Sequence, residues 1–200
     1  MTISTQGYRV IDATNATLDD SLVAKRAARD AQAFLALYER YFSRVYTYFR
    51  YRYADRQTCD DLTARTFEQA LAHIVEYRPE RGTFAAWLFG IARNNANGHY
   101  RQALRLRGLS WERWLSLPGS DPPPEEAAIE IDRRHLLLSC IQELAPRQRE
   151  LLALKFTAGL TNRQIAEMTG LSEQNVGVIL HRSIQKLRKR MERAEGRHAR

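Results

Sequence analysis

The chain has 200 residues, of which 44% are hydrophobic and 27% charged, and carries a formal net charge of +8. That balance excludes wholesale disorder, a collagen-like repeat and a disulfide scaffold, and the length leaves room for one domain or two small ones. The longest apolar stretch, Phe84 to Ala92 with Gly90 inside it, falls far short of the roughly 20 residues of a spanning helix. The start of the chain lacks a basic segment followed by an apolar run, so neither a membrane passage nor a secretory signal is expected and the compartment should be the cytoplasm.

In chain order, residues 1–29 read as a short polar lead-in, expected to be flexible. From Asp30 to Tyr53, Phe34, Leu37, Tyr38, Tyr41, Val45 and Tyr48 fall at the three-and-four spacing of one helical face. A second helix is expected from near Thr58, with Asp60 and Asp61 in its first turn complementing the dipole and Leu62, Phe67, Ala70, Leu71 and Ile74 along it. Pro79 and Gly82 break the chain, and a third helix is expected from Phe84 to about Leu104 with Trp87, Leu88 and Ile91 inward. Three helices over residues 30–104 then make one small domain. Residues 105–127 lose periodicity and contain Pro122-Pro123-Pro124; residues 103–130 hold three basic residues against five acidic ones, and the segment reads as a flexible acidic linker containing Trp111 and Trp114.

Four further helices are expected beyond the linker, at Glu125 to Leu144, Pro146 to Thr157, Thr161 to Thr169 and Ser172 to about Arg193, forming a second domain over residues 128–193 with a basic tail at 194–200. The fold class is therefore all-α, two small helical domains joined by a Pro-rich acidic linker. Residues 159–200 hold nine basic residues against four acidic ones, and a basic helical end points to nucleic acid first and an anionic membrane surface second. Within it, Thr161 with Gln164 three residues on is a capping box, Gly170 suits a left-handed turn, and Ser172 is a ready N-cap. Ala166 is small enough for close helix approach, and Ile165, Leu171 and Val176 can share a core. These are the demands of a helix-turn-helix. Ser172, Glu173, Gln174 and Asn175 then form the first turn of the recognition helix, where Gln and Asn suit adenine and Glu suits cytosine, while His181, Arg182 and Lys186 follow the phosphates.

At these residues the chain resembles a known family. Leu144-Ala145-Pro146-Arg147-Gln148-Arg149-Glu150-Leu151-Leu152, followed by Gly159-Leu160-Thr161, Ile165-Ala166 and Leu180-His181-Arg182, is similar to region four of bacterial sigma factors of the extracytoplasmic-function (ECF) group. Asp60-Asp61-Leu62-Thr63 with Phe67 resembles the region-two helix of that family, and Phe84-Ala85-Ala86-Trp87-Leu88 through Arg93-Asn94 resembles its promoter-melting segment. The resemblance implies that Asp60, Asp61, Thr63 and Phe67 dock on core RNA polymerase at the beta-prime clamp helices. It implies that Arg78, Arg81, Trp87, Arg93 and Asn94 capture the minus-ten element, and that residues 172–182 with Lys186 read the minus-thirty-five element. The beta flap of the polymerase and an anti-sigma factor are further implied partners, with no cofactor and no metal. The chain departs from the family pattern at Gly98, Gly177 and Ile179.

Enzymatic readings find little support. His73, His99, His135, His181 and His198 are scattered with no HExxH, Walker loop or nucleophile elbow, and Cys59 and Cys140 lack a CxxC partner and read as buried free thiols. The competing reading is an autonomous dimeric helix-turn-helix regulator, with a protein-interaction antagonist as a third. The acidic Asp60-Asp61 segment discriminates against the regulator, being a poor DNA surface and a plausible protein-docking one.

Overall fold

The computed structural model describes residues 13–106 and 125–198, and among them every regular element is helical. The helices are α1 (Ala13–Ala27), α2 (Ala31–Arg52), α3 (Arg56–His73), α4 (Phe84–Leu106), α5 (Glu125–Gln142), α6 (Pro146–Phe156), α7 (Asn162–Thr169) and α8 (Glu173–His198), with short 3-10 turns at Ile74–Glu76 and Pro79–Arg81. The linker tryptophans Trp111 and Trp114 lie outside the described residues.

The first departure from the sequence reading is α1. Residues expected to form a loose lead-in make a helix that packs along α2 and touches α4. Its anchor is polar: the Asp20 side chain, 4% exposed, pairs with Arg40 and accepts the Tyr41 hydroxyl proton. Burial pushes the Tyr41 hydroxyl well above its usual range, and the adjacent Asp20 carboxylate adds to the shift. Small residues do the apolar packing, with Ala24 and Ala27 buried.

α2 is capped by Asp30, whose carboxylate accepts from the Gln32 amide at 2.9 Å. Its inward stripe is Ala33, Leu37, Tyr41, Val45, Tyr48 and Phe49, one step round from the predicted face, so that Tyr38 lies outward. α3 begins two residues earlier than expected because Asp55, not a residue near Thr58, is the N-cap, accepting from the Thr58 amide at 2.8 Å. The same bonds hold the Asp55 carboxyl below the usual carboxylate range. Asp60 and Asp61 therefore lie in the second turn of α3, not the first.

The two halves of the chain share one continuous apolar core that runs from Leu37 and Tyr48 to Leu151, Leu154 and Ile165. α2 is the hinge plate, contacting α1, α3 and α4 on its own side and α5 and α6 across the boundary. The turn after α6 uses Gly159 at φ +67°, and the turn after α7 uses Gly170 at φ +74°.

Candidate polymerase and promoter interfaces

Four surfaces carry the predicted site residues. The first is on α2 and α3. Asp60 and Asp61 are exposed, whereas Thr63 is 1% exposed and turns its hydroxyl back onto the Cys59 carbonyl at 2.7 Å. Thr63 is thus a core residue, which corrects its placement on the docking face; the back-bond satisfies a hydroxyl that has no route to solvent. Phe67 is itself 6% exposed, yet its ring is the floor of an aromatic cluster. Tyr38 meets it edge-on at 4.7 Å, Phe42 lies 6.4 Å away, and Phe42 stacks on Tyr46 at 6.4 Å. Phe42 is 41% exposed and Tyr38 36%. These rings, which sequence reasoning missed, form an outward apolar surface bordered by Asp60, whose charge helps burial raise the Tyr46 hydroxyl. The signal was present: Phe42 is an aromatic off the helical stripe.

The second surface is the loop after α3. Tyr77 is buried and donates its hydroxyl to the Gly82 carbonyl at 3.1 Å, with Phe84 and Trp87 at 5.6 and 5.7 Å between ring centres. Gly82 at φ +145° closes the turn. Arg78 is exposed and donates to the carbonyls of Val75 at 2.7 Å and Tyr77 at 3.1 Å; Arg81 is exposed and Trp87 half-buried. The structure therefore brings Arg78, Arg81 and Trp87 to one end of the bundle. Arg93 and Asn94 sit roughly 9 Å further along α4 from Trp87. Asn94 is exposed, while the neighbouring Asn95 is buried and donates to Thr66 Oγ1 at 3.2 Å.

The third is the helix-turn-helix. The Thr161 hydroxyl accepts from the Gln164 amide at 3.2 Å while Gln164 Oε1 accepts from the Thr161 amide at 2.9 Å. Ser172 caps α8 by accepting from the Asn175 amide at 3.2 Å. Val176, Leu180 and Ser183 turn inward with Ile165, leaving Ser172, Glu173, Gln174, Asn175, His181, Arg182 and Lys186 exposed. Val178, 41% exposed, lies between Gln174 and His181–Arg182 on the same helical face, and had not been singled out. A Cβ at Gly177 would meet Asn162 Nδ2 at 3.6 Å, ordinary contact, so packing does not require glycine there.

The fourth surface joins the halves. Glu150 on α6, its side chain 8% exposed, accepts from Arg93 Nε at 2.8 Å and Arg147 Nη1 at 3.3 Å and lies 3.5 Å from Arg52 Nη1. Arg52 also donates to the Tyr48 hydroxyl at 2.8 Å and to Asn97 Oδ1 at 3.0 Å. Burial works against the Arg52 charge, but Tyr48 and Glu150 together hold its pKa above the usual value. Arg44 donates to the Thr157 and Ala158 carbonyls, each at 2.9 Å, at the negative end of the α6 dipole. Gln142 donates to the Arg50 carbonyl at 2.8 Å. Arg93, predicted to touch promoter DNA, is thus engaged by the other half of the chain.

Among the described residues no group of three potential ligands could hold a metal ion and no helix is long and apolar enough to cross a membrane. The free thiols Cys59 and Cys140 are buried, and burial raises both, Cys59 to about 12.

Comparison with known proteins agrees with this geometry. Residues 37–106 match the model of sigma-70 region 2, and residues 134–187 that of sigma-70, region 4. The ECF RNA polymerase sigma factor SigK of Mycobacterium sp. (strain KMS) is 32% identical over 172 residues, covering 84% of this chain and 86% of the relative. The ECF RNA polymerase sigma factor BldN of Streptomyces coelicolor is 31% identical over 166 residues, 83% of this chain, which spans 63% of BldN. Among solved structures, CnrH in complex with the cytosolic domain of CnrY matches with a TM-score of 0.62 at 24% identity, covering 86% of this chain and 97% of that one. The sigma factor RpoE in complex with the anti-sigma factor NepR from Bartonella quintana matches with a TM-score of 0.61 at 17% identity, covering 80% and 96%. At those identities the structural likeness speaks for the fold alone. With region 2 built around α2–α4, region 4 ending in a capped helix-turn-helix, and a SigK relative aligned along most of both chains, the chain belongs to the ECF group of RNA polymerase sigma factors, which direct the polymerase to promoters.

Proposed function

We propose that the chain is a non-catalytic initiation factor, three of whose surfaces divide the work. The α2–α3 face docks on the clamp helices of core RNA polymerase: an apolar ring cluster at Tyr38, Phe42 and Phe67 supplies desolvation, and Asp60 and Asp61 beside it supply charge matching and orientation. Arg78, Arg81 and Trp87 hold unstacked bases of the minus-ten element, since guanidinium planes and aromatic faces accept any base by stacking. Arg93 and Asn94 extend that track along α4. The first turn of α8 enters the major groove of the minus-thirty-five element, with Gln174 and Asn175 reading base edges, Val178 against a thymine methyl, and His181, Arg182 and Lys186 on phosphates.

The observation that carries this reading is the outward set Glu173–Asn175 on a helix whose start is fixed by Ser172, in the same chain as an acidic-aromatic docking face. An isolated DNA regulator needs the first and has no use for the second. An anti-sigma factor that binds the chain with its two halves packed together belongs to the same proposal, in keeping with the partner-bound forms of CnrH and RpoE, as do the beta flap contact of region 4 and a cytoplasmic site of action. The test is co-elution with core RNA polymerase followed by run-off transcription from genomic promoter fragments. Co-elution with promoter-dependent transcripts is the expected result. A shift of duplex DNA by the chain alone, with no polymerase binding, would overturn it in favour of the autonomous regulator.

A further inference from the structure

The end of α1 and the turns after α3 enclose a groove of about 670 Å³, within the range of roughly 300–1,000 Å³ in which proteins hold small ligands. Its rim carries Lys25, Arg26, Arg29 and Arg78 against Asp30 and Glu80, so cations predominate. Lys25 and Arg29 are exposed, and Arg26 pairs with Asp30 at 3.4 Å. A helix C-terminus by itself repels phosphate; these side chains reverse the sign where α1 ends. The wall between them is apolar, with Val75 57% exposed beside the guanidinium of Arg78, which its bonds to the Val75 and Tyr77 carbonyls hold in place. The two sides are fixed relative to each other, because Ser21 on α1 shares a hydrogen bond with the Tyr77 hydroxyl at 3.0 Å.

We propose that α1 is a second wall of the single-strand site, with Lys25 and Arg29 binding backbone phosphates of an unpaired DNA strand while a base rests on Val75 and the Arg78 plane. This rests on the reading of the Arg78–Arg81 loop as the minus-ten surface, and extends that surface onto a segment outside the matched region 2. The occupant is single-stranded DNA: a cationic rim over an exposed apolar wall suits a phosphate joined to a base, and the groove continues the loop that already presents Arg78.

The experiment is fluorescence anisotropy of the full-length chain with labelled dT12 and with a 20-base-pair duplex, between 50 and 200 mM salt. Four proteins are compared: wild type, Lys25→Gln/Arg29→Gln, Arg78→Gln/Arg81→Gln, and Arg182→Gln/Lys186→Gln. Loss of Lys25 and Arg29 is expected to weaken dT12 binding about tenfold and to flatten its log–log salt slope by about 1.4, at roughly 0.7 per phosphate contact on single strands. Duplex binding should change less than twofold, while the α8 variant shows the opposite pattern. If only the Arg78/Arg81 variant loses dT12, the α1 wall is refuted and the loop reading stands. If neither loses it, both fall. An equal loss on dT12 and duplex would reduce Lys25 and Arg29 to general electrostatics and also overturn the proposal. The replaced side chains are exposed, so unchanged thermal unfolding is the control for the fold.

Discussion

Replacing Glu150 by Gln tests whether the contact between the two halves is held by charge. The carboxylate lies within hydrogen-bonding range of Arg93 at 2.8 Å and within 3.5 Å of Arg52, whose side chains are 20% and 14% exposed. Arg147, at 3.3 Å, is 45% exposed and solvent-screened, so it contributes little. Breaking a buried pair by removing one partner costs about 3–5 kcal/mol, chiefly because the other charge is left uncompensated. Gln keeps one acceptor and Arg52 keeps Tyr48 and Asn97, which brings the expected cost to about 2–3 kcal/mol, read as a lower urea midpoint at unchanged slope. A double-mutant cycle with Arg93→Gln separates the pair from the packing around it. A coupling of about 1–2 kcal/mol is expected for side chains in direct contact. Additivity within about 0.5 kcal/mol would show that the halves are joined by their common apolar core alone.

Asp61→Arg is expected to abolish co-elution with core polymerase while leaving thermal unfolding unchanged, since the side chain is exposed on the second turn of α3; unaltered affinity would move the docking face elsewhere. Gln174→Ala should change the preference at one upstream base pair by about 1–3 kcal/mol, whereas an equal loss on every sequence would deny Gln174 a reading role. Gly177→Ala should stabilise the chain by about 0.5–1 kcal/mol, because a Cβ there meets only ordinary contact and glycine weakens a helix interior; destabilisation would mean that α8 lies closer to α7 than the 3.6 Å contact implies. Burial raises Cys59 from 9.0 and Tyr53 from 10.0, each to about 12. The fold therefore favours their neutral forms, so stability is full below pH 9 and declines as pH rises towards 12, each group adding about 1 kcal/mol per pH unit once its unfolded value is passed. Urea unfolding at pH 7 to 10.5 checks this, and Cys59→Ala should remove the part that begins near pH 9.

The helix-turn-helix was legible because its signals are local. Thr161, Gln164, Gly170 and Ser172 act on neighbours within four residues, and each performs the cap or turn its chemistry favours. α1 was illegible for the opposite reason. Among its described side chains the buried apolar residues are alanines, and its anchor is Asp20 paired with Arg40 and Tyr41 on another helix, so neither periodicity nor composition marks it. Thr63 shows a subtler limit: a threonine beside two aspartates reads as surface, yet a helical threonine can satisfy its hydroxyl on the preceding turn and be buried. Tyr38 was misplaced because the expected stripe of α2 took it inward, and Phe42 lay off that stripe with no role assigned, when the helix has aromatics enough for a core stripe and an outer patch.

The contact between Glu150 and Arg93 spans 57 positions and bears directly on how the chain works. The minus-ten and minus-thirty-five elements, by their names, stand about 25 base pairs apart, or about 85 Å at 3.4 Å per pair. With α6 packed against α2 the two halves cannot span that distance. Residues 107–124, fully extended, reach about 60 Å, and α4 at 23 residues adds about 34 Å, so a parted chain can. Parting exposes Arg93 and Arg52 as well as the carbonyls that Arg44 had satisfied, and it uncovers the apolar faces of α2 and α6. On the proposed reading the cost is met where new partners replace the old: phosphates and bases for the arginines, polymerase surface for the apolar faces. On the proposed reading, promoter binding that engages both elements is coupled to this opening, and any polymerase contact with the uncovered faces would be coupled to it too, so that each should strengthen the other. Loosening the Glu150 contact should tighten both, because less of their binding free energy is then spent on separating the halves.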